Sequence, residues 1–200
     1  MANVIELNPT ARARQRGTEF THVVGMVVAL ASWGMMFACA FFVYFGLRSK
    51  EAMWPPMGLP RLPIGLPAVN TLVIVVSSLT LGRALATMRR GGSAVRWMGV
   101  TLGLGLSFVG LQLLLWQNMW RDGITVATGS VGTVFYGLTG LHAAHVAAGI
   151  AVLGYLTYRA SRDAKSPYDA TPVVRLRLCG MFWHFVGAVW IFMFLAMFLF

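Results

Sequence analysis

The chain has 200 residues, of which 58% are hydrophobic and only 11% charged. A soluble domain carries about 25% charged residues, so a soluble fold is excluded and an integral membrane protein is expected. The net charge of +10 does not point to nucleic acid, because the basic residues are scattered among loops between apolar runs, where they orient helices.

In chain order, residues 1–19 form an arm with Arg12, Arg14 and Arg16 and no apolar core, so no cleavable signal peptide is expected. Residues 20–200 read as a single membrane domain. Five apolar runs, at about 20–47, 68–88, 97–120, 131–158 and 178–200, are each long enough to cross roughly 30 Å of hydrocarbon as a helix. The expected fold is therefore all-α, a bundle of five transmembrane helices. Cys39 and Cys179 fall inside apolar runs, which leaves neither a disulfide framework nor a CxxCH haem attachment.

Lysines and arginines divide unequally between the two sides. The arm, the second connection and the fourth connection hold twelve, among them Arg83, Arg89, Arg90, Arg159 and Arg177. The opposite side holds four: Arg48, Lys50, Arg61 and Arg121. The positive-inside rule then predicts a cytoplasmic N-terminus and a periplasmic C-terminus. The first connection, Ser49 to Pro67, contains Trp54-Pro55-Pro56, Pro60 and Pro63, and reads as a stiff, non-helical cover on the outer surface.

The fourth run holds the stretch with most character, GLTGLHAAHVAAG from Gly137 to Gly149. His142 and His145, at i and i+3, share one face, while Gly140, Ala144 and Ala148 form a stripe of small residues roughly opposite. Small residues let another backbone approach closely, and a histidine face in a membrane needs hydrogen-bonding partners. A helix with two such neighbours is expected inside the bundle.

All six acidic residues lie in an arm or connection, or at the edge of a span. Proton relays through membrane interiors use buried carboxylates, so autonomous pumping by this chain is not expected. His142, His145 and His184 are the candidate metal or haem ligands. A haem between helices takes axial histidines from opposite sides, and no carboxylate or thiolate completes a shell around the i, i+3 pair. The expectation is therefore no bound metal, with the histidines making structural or lipid contacts. Trp183, Phe185 and Trp190 around His184 read as packing against lipid or another subunit, and the final IFMFLAMFLF as a lipid-facing wall. Gln112 is a lone polar group expected to bond across helices, a contact of about 0.6–2 kcal/mol.

Taken together, Trp54-Pro55-Pro56, Asn70-Thr71, Ser77-Ser78, Thr101, Phe108, Gln112, Leu138-Thr139-Gly140-x-His142-x-x-His145-Val146-x-x-Gly149, Trp183-His184-Phe185-Val186 and Trp190 resemble subunit III of the haem-copper respiratory oxidases. The similarity runs from about Gly25 to Phe200 and is closest to the short, five-helix bacterial form. The resemblance implies a non-catalytic subunit that binds no haem or copper and packs beside the haem- and copper-bearing subunit I, with subunit II in the same complex. It further implies structural phospholipids held between helices and a place in the bacterial-type inner membrane. His142, His145, His184, Trp183, Gln112 and Trp54 are then structural or lipid-contacting candidates. Three positions depart from the family pattern: Trp33, Leu115 and Gly187 stand where the family usually has acids. The alternatives are a subunit of a quinol oxidase or nitric oxide reductase, a haem-binding membrane cytochrome and a small transporter.

Overall fold

The computed structural model describes residues 9–50, 63–162 and 171–199. Five long helices account for nearly all of them: α1 (Pro9–Arg48), α2 (Gly65–Arg89), α3 (Val95–Arg121), α4 (Gly129–Arg162) and α5 (Thr171–Phe194). α5 continues as a short π-helical turn, Leu195–Leu199. All five contain a stretch long and apolar enough to span a membrane. The bounds reflect the physics of the termini. α1 begins at Pro9, so the arm becomes helical well before the first apolar run.

Two chain reversals use the same C-terminal device. Gly91 and Gly123 adopt left-handed backbone (φ 77° and 80°), which only glycine takes without strain. Beyond them, the Gly92 amide donates to the Thr87 carbonyl and the Ile124 amide to the Met119 carbonyl. These six-to-one bonds satisfy carbonyls that a helix end leaves orphaned, at a membrane surface where that matters. Ile124 is then buried beneath the reversal, and its own carbonyl accepts the Tyr136 hydroxyl at 2.8 Å.

The proline-rich connection is shorter than expected. α2 starts at Gly65, so Pro67 sits buried in its first turn, where a missing amide hydrogen costs no helical bond. Trp54, Pro55 and Pro56 lie outside the described residues.

α2, α3, α4 and α5 form a ring in which α2 packs on α3 and α5, and α4 packs on α3 and α5. α1 stands outside that ring, against α5 and α4. The span windows show the consequence: 50% of the fifth is buried, against 11% of the first. Phe42, Leu72, Leu79 and Leu106 point outward, as a lipid-facing surface requires. α5 is thus the central element rather than a wall: Met193, Ala196, Met197 and Phe198 from its final run are buried. The expectation of a lipid-exposed final segment holds for one side only: Ile191, Phe192, Leu195 and Leu199 are exposed, while the other side packs inward, and α1 lies alongside with Phe41 edge-on to Phe192 at 4.5 Å.

Candidate functional site

The core of the ring is organised by two tryptophans of α5. Trp183 and Trp190 are 1% and 0% exposed, so they pack inward rather than against lipid. The Trp183 indole donates from Nε1 to Ser77 Oγ at 3.0 Å, and Trp190 Nε1 donates to Thr71 Oγ1 at 3.0 Å. A third indole, Trp116 on α3, donates to Thr139 Oγ1 of α4 at 3.1 Å. Thr80 and Thr101 share a hydrogen bond of 2.8 Å between α2 and α3. Each contact joins two helices through neutral groups. Such bonds hold transmembrane helices together where the hydrophobic effect no longer discriminates.

Trp183 fits because two glycines make room for it. A Cβ on Gly105 of α3 would lie 2.8 Å from Trp183 Cη2, and one on Gly149 of α4 would lie 3.0 Å from Cε3 and Cζ3 of the same ring. The indole is therefore wedged between two bare backbones while its N–H is tied to a third helix. Gly140 has no such neighbour: a Cβ there would meet nothing within 4 Å.

That observation corrects the expected role of the small stripe. Gly140 is half-buried and Ala144 and Ala148 are exposed, so the stripe is not packed against another helix of this chain. Close approach inside the chain belongs to Gly105 and Gly149 instead.

The two histidines of α4 separate on their neighbours. His142 is 1% exposed, with its ring near Trp190 (5.6 Å), Phe108 (5.9 Å) and Phe37 (6.4 Å). His145 is half-buried toward α1, edge-on to Trp33 at 5.7 Å and 5.2 Å from Phe37, and its Nδ1 donates to the Leu141 carbonyl at 2.8 Å. His184 is exposed on α5 and joins neither. Gln112 is buried, yet neither of its amide atoms has a hydrogen-bond partner among the described residues, so the expected bond across helices is not made there. Both nitrogens of His142 and Oδ1 of Asn70 are in the same condition.

The three positions that depart from the acidic pattern are each accommodated by neutral packing. Trp33 lies edge-on to Phe182 at 5.2 Å as well as to His145. Leu115 is 1% exposed. A Cβ at Gly187 would make ordinary contact with Ser78 Oγ at 3.5 Å and Ile74 Cγ1 at 3.6 Å.

A structural contact that the residue pattern did not reveal lies where α1 ends. Tyr44 is 1% exposed and donates its hydroxyl to the Ala196 carbonyl at 2.8 Å. Arg48 donates to the same carbonyl at 3.1 Å and to the Tyr44 oxygen at 2.9 Å. Ala196 lies in the π-helical turn, so the clasp satisfies a carbonyl at an irregular helix end.

The sequence profile described as "Cytochrome c oxidase subunit III" matches residues 12–200. The cytochrome c oxidase subunit 3 of Synechocystis sp. is 30% identical over 177 residues, covering 88% of this chain and 74% of that protein. A probable cytochrome c oxidase subunit 3 of Mycobacterium leprae is 34% identical over 174 residues, covering 86% and 84%. The cytochrome c oxidase subunit 3 of Thermostichus vulcanus is 27% identical over 203 residues, covering 100% and 98%. The chain, five apolar helices around a tryptophan-pinned core, belongs to the cytochrome c oxidase subunit III family.

Proposed function

We propose that this chain is the non-catalytic third subunit of a haem-copper terminal oxidase of the cytochrome c type, embedded in a bacterial-type inner membrane. It supports assembly and sustained turnover of the oxygen-reducing complex. The family match across the whole membrane domain carries this reading. Haem and copper belong to the partner subunits. The geometry of His142 supports that assignment, since its ring is flanked by Trp190, Phe108 and Phe37 rather than by an opposing ligand.

The partner in contact is subunit I, with subunit II in the same complex. The face offered to subunit I is the outward stripe of α4, Gly140, Ala144 and Ala148. Small side chains there let a foreign transmembrane helix approach closely, and among the described residues no other helix packs on them. Structural phospholipids fill the flanks of α1, which among the described residues packs chiefly on α5 and α4. The basic ends of α2, α4 and α5 face the cytoplasm, and the end carrying Arg48 and Arg121 faces the periplasm.

Purification of the oxidase through a tag on this chain tests the reading. The haem- and copper-bearing subunit should co-purify with the haem absorption bands, while the chain expressed alone should show no Soret band. A Soret band from the lone chain, or isolation without an oxidase core, contradicts it. His142→Ala should leave haem and copper per complex unchanged.

A further inference from the structure

We propose that Asn70, Gln112 and His142 enclose an internal hydration site, in which at least one ordered water molecule bridges the three side chains at the level of Trp190. The three residues are 1%, 3% and 1% exposed and come from three different helices, α2, α3 and α4. Five of their polar atoms have no hydrogen-bond partner among the described residues: Asn70 Oδ1, Gln112 Nε2 and Oε1, and both ring nitrogens of His142.

The helix registers bring these residues to one depth. Between antiparallel α3 and α4, Gly105 lies against Ile150, Leu102 against Gly154 and Trp116 against Thr139. Continued, that register sets Gln112 within one or two residues of His142 along α4. Between α2 and α3, Thr80 meets Thr101 and Arg83 lies over Trp97, which sets Gln112 within one or two residues of Asn70 along α2. The α5 contacts agree independently. Trp190 bonds Thr71, the neighbour of Asn70, and lies 5.6 Å from the His142 ring. The unpaired groups of three helices therefore converge on the interior beside one indole.

Their chemistry suits water. The Gln112 amide and a neutral imidazole supply donors, while Asn70 Oδ1, Gln112 Oε1 and the other imidazole nitrogen supply acceptors. A water molecule donates twice and accepts twice, and buried waters typically make about three bonds to groups of this kind. Among the described residues no group of three or more His, Cys, Asp or Glu gathers that could hold a metal ion. Entry is short, because Asn70 lies in the second turn of α2, within about 8 Å of that helix end.

A density map of the intact oxidase complex, at a resolution that shows ordered water, tests the site directly. The expected result is a discrete peak within hydrogen-bond distance of both the Gln112 amide and the His142 ring. A map without that peak overturns the proposal, whether the two side chains turn to bond each other or stay apart. A second readout uses Gln112→Leu. In a dry site, deleting an unpaired amide raises the melting temperature of the complex, because an unsatisfied buried group is destabilising. At a hydrated site, deletion strips a partner from the water, and the melting temperature falls. A rise overturns the proposal.

Discussion

The two faces of α4 use small residues for opposite ends. On the inner face Gly149 lets the Trp183 ring come so near that a single added carbon would lie 3.0 Å from it. On the outer face Ala144 and Ala148 are exposed, and a Cβ on Gly140 would meet none of the described residues within 4 Å. One set closes the subunit on itself. The other leaves a surface whose use depends on a second protein. Smallness alone does not say which, and only the position of Trp183 distinguishes them.

The largest effect should come from the inner face. Gly149→Leu places a branched side chain where Trp183 and Phe182 already sit, and folded chain should be lost from the membrane fraction on detergent extraction. Gly105→Ala and Gly149→Ala should each destabilise by about 1–3 kcal/mol, the usual cost of over-packing, even though alanine is the better helix former. A melting curve that rises for either would show that Trp183 can move aside. Trp183→Phe should cost a similar amount by leaving a void and an unpaired Ser77 hydroxyl. Ser77→Ala, which keeps the ring and removes only the acceptor, should cost about 0.6–1.7 kcal/mol. Tyr44→Phe should fall in that smaller range, because Arg48 still reaches the Ala196 carbonyl. Its effect should be confined to α1, read as faster proteolysis of that helix with the four-helix ring intact. Gly140→Leu should have the smallest effect on the lone chain, whose melting temperature should not change. Its loss should appear only as reduced recovery of the catalytic subunit.

The five spans were legible because apolar runs of helical length between arginine-bearing connections have few other readings: α1 to α4 contain the runs expected, and α5 with its π-helical turn covers the fifth as far as Leu199. Helix ends were less so: α1 and α4 extend beyond their apolar runs into polar sequence, since a helix does not stop where hydrophobicity does. The core was hidden for a different reason. Trp183 and Trp190 look like lipid-facing aromatics until their partners on α2 are known. One signal was available. Thr71 and Ser77 are spaced almost as Trp190 and Trp183 are, as expected of two polar rungs between antiparallel helices. The roles of Gly140 and Gly149 could not be separated, because both are glycines in the same apolar run. Whether Gln112 bonds across helices depends on rotamers and on the breadth of the gap, neither of which a residue pattern encodes.

The division between the faces can be tested with one thiol. In a Cys39→Ser background, needed because Cys39 is exposed, Ala144→Cys should react readily with a maleimide in the detergent-solubilised lone chain and be protected in the assembled oxidase. Leu79→Cys, on the exposed side of α2, should react in both. Equal labelling of residue 144 in the lone chain and the complex would contradict the account, because the small-residue face of α4 would then have no partner.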